Sequence, residues 1–215
     1  MAKLVLLAFF ILGTTRAWSS AEISLSNRHI ILLQADLKTV WGLYYFGVRN
    51  ESGKELSFSA PVALPEGVEY KPGEGVTEKD FTYDEKGRLH VTRLFGPGLS
   101  LVSISFQKPV VPNTSQRLDI RVQSDISELS FAIPKGGGLS LHSAKLTEGL
   151  SNMLNPVTYE GLLAKDLREG ELVQIEILGI PNDRTWLWGV GAAFSVLIFL
   201  SVLLVLFRNF KNAFA

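Results

Sequence analysis

Cysteine is absent from the 215 residues, which excludes disulfides, thiol nucleophiles and thiolate metal sites. Extracellular animal domains often carry disulfides, so an exported domain without them leans toward a bacterial envelope. Net charge is absent too. Twenty-one basic residues balance 21 acidic ones, leaving no electrostatic footprint for nucleic acid. Histidine is scarce: His29, His90 and His142 stand singly, with no H-x-H or H-E-x-x-H spacing for a metal, and each reads as a surface or packing residue. No G-x-S-x-G elbow announces a nucleophilic serine. Lys135-Gly136-Gly137-Gly138 lacks the Lys-Ser/Thr of a phosphate loop and no helix follows it, so it reads as a hairpin turn. No catalytic residue, metal or cofactor is implied.

What the chain does have is apolar sequence at both ends. Thr185 to Phe207 (TWLWGVGAAFSVLIFLSVLLVLF) runs 23 residues without a charge and stops at Arg208 and Lys211. As a helix rising about 1.5 Å per residue it reaches roughly 34 Å, enough to cross a hydrocarbon core of about 30 Å. At the other end, Lys3 precedes the apolar run Leu4 to Leu12, followed by small and polar residues with Ala17, Ser19 and Ala21 as cleavage positions. This pattern is that of a secretory signal; Arg16 near the cleavage region leaves an uncleaved anchor as the alternative. The positive-inside bias places Arg208 and Lys211 in the cytoplasm, with Trp186 and Trp188 at the outer interface. The expected order is a signal at 1–21, an exported region at 22–184, a transmembrane helix at 185–207 and a short cytoplasmic tail at 208–215, in the bacterial inner membrane.

The exported region repeats with a period of two, the mark of half-buried strands. Val102 to Gln107, Leu118 to Gln123, Leu129 to Ile133 and Val173 to Ile177 alternate cleanly, and His29 to Gln34, Trp41 to Arg49, Glu55 to Ser59, Leu89 to Phe95 and Leu139 to Leu146 are further strands. Turn residues bound them at Asn50-Glu51-Ser52-Gly53 and Glu85-Lys86-Gly87. No long 3.6-residue period intervenes, so the expected fold is all-β, an antiparallel β-sandwich. A break at Phe95-Gly96-Pro97-Gly98 suggests two small sandwiches, 22–96 and 97–184, in competition with one larger one. Leu162 to Leu167 reads either as a helical turn or as part of a hairpin.

Three apolar strands end in proline, at Pro65, Pro134 and Pro181, where a missing N–H terminates the ladder. With its signal, sandwich, Gly179-Ile180-Pro181, span and basic tail, the chain resembles bacterial membrane-anchored envelope proteins with carboxypeptidase-regulatory-like or transthyretin-like sandwich domains. That resemblance implies a non-catalytic accessory protein and carries over no functional residue.

Trp41, Tyr44, Tyr45 and Phe46 crowd one strand, and alternation puts Tyr44 and Phe46 on one face and Leu43 and Tyr45 on the other. Either both faces are covered or one is a partner surface. Tyr70 joins these four as a candidate from the acidic segment Glu66 to Glu85, which also carries Phe81 and Tyr83; calcium is that segment's alternative, though its spacing fits no EF-hand and lysines interrupt it. Asn50-Glu51-Ser52 and Asn113-Thr114-Ser115 match the glycosylation pattern, relevant only in a eukaryotic secretory route. In the span, Gly189, Gly191, Ala193 and Ser195 offer small-residue contacts for another helix, from a second copy or a larger membrane subunit. The expected function is that of an accessory or scaffold subunit of an envelope membrane complex, with a glycan- or small-ligand-binding module as alternative.

Overall fold

The computed structural model describes residues 22–110, 115–149, 152–154 and 157–180. The expected signal, the span, the tail, the small-residue contacts at 189–195 and Asn113 lie outside them. Among the described residues there is one 3₁₀ turn, Glu78–Asp80, no α-helix, and no helix long and apolar enough to cross a membrane. The rest is strand and turn: β1 (Ile23–Leu25), β2 (Arg28–Ala35), β3 (Thr39–Asn50), β4 (Leu56–Pro61), β5 (Glu69–Pro72), β6 (Phe81–Tyr83), β7 (Leu89–Phe95), β8 (Gly98–Pro109), β9 (Gln116–Arg121), β10 (Ile126–Pro134), β11 (Ser140–His142), β12 (Thr147–Glu148), β13 (Asn152–Leu154), β14 (Val157–Leu167) and β15 (Leu172–Leu178).

Nine strands form one large sheet in the order β12-β14-β10-β2-β3-β8-β5, with β1 on β3 and β13 on β14. Two three-stranded sheets, β4-β7-β6 and β11-β15-β9, complete a sandwich-like all-β fold. Side chains from all three sheets meet in one core: Tyr44, Phe46, Ile104 and Phe131 from the large sheet, Val91 and Phe95 from the second, Leu118, Ile120 and Ile175 from the third. Burying side chains of this size contributes about 1.5–3 kcal/mol each relative to leaving them exposed.

Turn chemistry sets the registers. Asp36 Oδ1 accepts the backbone N–H groups of Lys38 and Thr39, both at 2.8 Å, closing β2 onto β3. Asp84 closes β6 onto β7 in the same way through Lys86 and Arg88 N–H, both at 2.9 Å, with Gly87 taking the positive φ of 72° that a side chain disfavours. These contacts, with the Arg88 backbone N–H first, hold the Asp84 carboxyl well below the usual carboxylate range. Proline ends β4, β5, β8 and β10, at Pro61, Pro72, Pro109 and Pro134.

Several expectations change. The segment Phe95-Gly96-Pro97-Gly98 is the turn between β7 and β8, and β8 then pairs with β3 from Asn50↔Gly98 to Thr39↔Pro109. Strands from the two regions expected as small sandwiches, 22–96 and 97–184, therefore share one sheet and one core among the described residues. The pairing is antiparallel except between β10 and β2, which run parallel: the chain returns to β10 from the opposite layer, after β9. Lys135-Gly136-Gly137-Gly138 is a turn but not a hairpin, because β10 and β11 belong to different sheets. Leu162 to Leu167 is strand, the end of β14. The strand expected over Leu139 to Leu146 is confined to Ser140–His142.

Candidate functional site

Alternation along β3 splits one strand between two environments. Val40, Tyr44, Phe46 and Val48 point into the core at 0–1 % exposure, while Trp41 and Leu43 on the other face are 47 % and 38 % exposed. Register extends this outer face across the large sheet. One row runs Gly161, Ala132, Leu32, Leu43, Ser105, Lys71 through directly paired positions on six strands. The next runs Gln34, Trp41, Gln107, Glu69. Small residues in the first row lower the floor. Gly161 is required there, because a Cβ would lie 1.7 Å from the Phe131 carbonyl oxygen.

Between these rows lies a trough of about 320 Å³, floored by Leu32, Gly42 and Leu43, with Trp41 in it, Tyr159 at one flank and Glu69 and Lys71 at the other. Gln107 Nε2 donates to Glu69 Oε2 at 2.7 Å, which commits one amide N–H and leaves the second N–H to donate and the amide oxygen to accept. The Lys71 ammonium has no hydrogen bond or ion pair among the described residues. Beyond Leu43 the face closes: Glu74 N–H donates to Ser103 Oγ at 2.6 Å, and the half-buried Tyr45 hydroxyl has its pKa raised by burial first, then by Glu74 and Tyr159.

The five residues expected on one partner surface thus fall into three places. Trp41 and Tyr45 are on the outer face. Tyr44 and Phe46 are a correction: both have 0 % exposure, because the two smaller sheets cover the side of β3 to which they point. Tyr70 points away from the trough and packs edge-on against Phe81, with centroids 5.2 Å apart. Its hydroxyl bonds Tyr83 Oη, and burial first, then that bond, push its pKa up to about 12. Gln34, Gln107 and Tyr159 were not singled out in the sequence, and Glu69 and Lys71 were read only as members of the acidic segment Glu66 to Glu85. Period-two alternation gives the face of each residue, but strand order alone brings these together.

The core contains a polar relay. His29 is buried, and its Nε2–H donates to the Ser26 carbonyl at 2.8 Å. Since a carbonyl only accepts, Nδ1 is left as acceptor for the Tyr44 hydroxyl at 2.5 Å. Tyr44 Oη accepts in turn from the Ala63 backbone N–H. Burial lowers the His29 pKa to about 4, with the Ser26 bond opposing, and burial raises that of Tyr44. Asn50, at 2 % exposure, spends its amide on the Lys54 and Phe95 carbonyls at 2.7 and 2.8 Å, so the first glycosylation match is a structural cap with no free nitrogen.

One constellation of hydrolytic residue types does assemble on the β4–β7 face. Ser59 Oγ lies 3.2 Å from His90 Nδ1, and His90 Nε2 lies 3.5 Å from Asp84 Oδ2. The second separation exceeds hydrogen-bond reach, leaving that buried nitrogen without a hydrogen-bond partner; at 3.5 Å the contact is electrostatic proximity only. Asp84 already accepts from Arg88 Nε at 2.6 Å, and Ser59 joins a hydroxyl ladder with Thr92 and Thr82. The arrangement stops short of triad geometry. Among the described residues no three His, Asp or Glu side chains group so as to hold a metal, and the calcium alternative for the acidic segment gains nothing from the fold.

No family model matches the chain, and no curated protein matches it. Among solved structures it is similar to a Legionella pneumophila protein provisionally named as nutrient binding, with TM-score 0.39 and 10% identity over 74% of this chain and 68% of that one. It is also similar to a Parabacteroides distasonis protein provisionally named a protease, with TM-score 0.30 and 11% identity over 76% of this chain. The chain spans 41% of the length of the latter.

Proposed function

We propose that the protein is a single-pass envelope membrane protein whose exported sheets act by binding, as an accessory or scaffold subunit of a membrane complex. The observation that carries this reading is the outer face of the large sheet, where Trp41 and Leu43 remain open although the same strand has a fully packed inner face. Large exposed apolar residues grouped on one surface are characteristic of interaction sites. The charge-free run 185–207 supplies the anchor, and the signal-like start supplies export. The likeness in element order to anchored proteins with transthyretin-like or carboxypeptidase-regulatory-like sandwiches agrees with an accessory role.

Affinity purification of the full-length protein from native membranes, with cross-linking and mass spectrometry, tests this. A stoichiometric membrane partner cross-linked to Lys71 or its neighbours is the expected result. A chain that purifies alone, with no cross-linked neighbour, overturns the accessory role.

The size of the trough favours a second reading, a membrane-anchored module for a glycan or other small ligand. At about 320 Å³ it falls at the lower end of the roughly 300–1,000 Å³ typical of small-molecule sites.

A further inference from the structure

Resting on the small-ligand reading, we infer that the trough is a saccharide subsite, with Trp41 as the stacking platform and Gln34, Gln107, Glu69 and Lys71 as its hydrogen-bonding rim. A sugar ring presents apolar C–H groups on its faces and hydroxyls around its edge. Its complement is an exposed aromatic face bordered at close range by groups that both donate and accept. The row Gln34, Trp41, Gln107, Glu69 has that order, one residue from each of four adjacent strands, so a glutamine is carried on the strand about 5 Å away on either side of Trp41.

The hydrogen-bonding capacity of the rim is specific. Because one N–H of Gln107 Nε2 is committed to Glu69 Oε2, Gln107 offers its amide oxygen and its second N–H and Glu69 its other oxygen, while Gln34 offers both roles and Lys71 only donors. The charges of Glu69 and Lys71 cancel, which admits a neutral ring. The ammonium of Lys71, unpaired among the described residues, favours a sugar with an acidic substituent. A protein partner is the poorer complement to the trough itself: a standard interface covers about 800 Å² per partner with an apolar centre, whereas here polar side chains stand within one strand of the indole.

The test is isothermal titration of the full-length protein in a detergent without a sugar headgroup, using cellobiose, chitobiose, N-acetylglucosamine and N-acetylmuramic acid. Saturable binding of at least one is expected, weakened tenfold or more by Trp41→Ala and by Gln107→Leu. Leu94→Ala, at a residue 58 % exposed on β7 of another sheet, leaves it unchanged. N-acetylmuramic acid is expected to bind more tightly than N-acetylglucosamine, and Lys71→Met to remove that difference. Unaltered unfolding curves for the trough variants show that the fold is retained. No saturable binding to the wild-type protein, or equal binding to Trp41→Ala, overturns the saccharide assignment. If sugars fail while cross-linking still captures a membrane partner, the saccharide inference falls and the accessory role stands; if sugars bind and no partner is captured, the reverse holds.

Discussion

The two faces of β3 have nearly the same apolar content and different fates. Tyr44 and Phe46 on one side are fully buried; Trp41 and Leu43 on the other, one to five residues away, are 47 % and 38 % exposed. Hydrophobicity of the residues therefore does not decide burial here; the presence of a covering layer does. Strands β4, β7, β9 and β15 lie over the inner face and supply Ala60, Val91, Phe95, Leu118 and Ile175 to the same cluster, while around Trp41 the outer face is flanked by Glu69, Lys71 and Tyr159. The inner side holds the fold together, and the outer side stays partly open at Trp41 and Leu43.

The largest test of this division is Phe46→Ala. Removing a fully buried ring from a core cluster to which all three sheets contribute leaves a cavity, at a cost of about 3–5 kcal/mol. Trp41→Ala, from the same strand, should shift stability by no more than about 0.5 kcal/mol. Urea unfolding of the two variants checks the contrast, and equal losses would erase the distinction between the faces.

The next test uses the buried, neutral histidine of the inner face. His29 has a pKa of about 4 in the folded protein against about 6.5 for the unfolded chain. Above pH 6.5 neither state binds the proton, and below pH 4 both do. Between these limits the unfolded state takes up the proton first, so stability falls as the pH falls. The loss attributable to His29 reaches about 3 kcal/mol by pH 4. His29→Gln should remove that part of the pH dependence, read as the difference between the two unfolding free energies from pH 7 to pH 4. Outer-face substitutions should leave the slope untouched.

Gly42 joins the two faces, since it lies in the trough floor while its missing Cβ would stand 2.0 Å from the Phe106 ring on the inner side. Gly42→Ala must push that ring out of its packing position, at a cost of about 1–3 kcal/mol. Because Gly42 and Phe106 are both residues of the trough, this substitution is expected to alter stability and binding together, where Phe46→Ala alters only the first. Unfolding and titration of the same preparation measure both.

Much of this arrangement was legible in the sequence, for definite reasons. Period-two alternation located β2, β3, β7, β8, β9, β10 and β15, because a strand with one covered face records that face in every second residue. The same rule separated Tyr44 and Phe46 from Leu43 and Tyr45. It did not tell which set would be covered, since that depends on the layer contributed by distant strands. Short strands such as β5 and β12 carry too few residues for a period to show. The junction at Phe95–Gly98 looked like a domain boundary because glycine and proline break a strand locally, yet the pairing of Asn50 with Gly98 carries the sheet across it. The trough failed to show for the same reason. Gln34, Gln107 and Glu69 come from three separate parts of the chain, and only register aligns them with Trp41.

The smallest expected effect on stability is also the sharpest on the outer face. Leu43→Lys places a charge at the centre of the row between Leu32 and Ser105, where the side chain is already 38 % exposed and its ammonium can reach water along its own stem. No buried partner is lost, so stability should change by no more than about 0.5 kcal/mol. Whatever occupies the trough must meet that charge in place of an apolar floor, so binding at this face should be lost while the unfolding curve stays in place. Loss of stability comparable to that of Phe46→Ala would mean that the outer face is as tightly packed as the inner one, and that the open trough does not persist in solution.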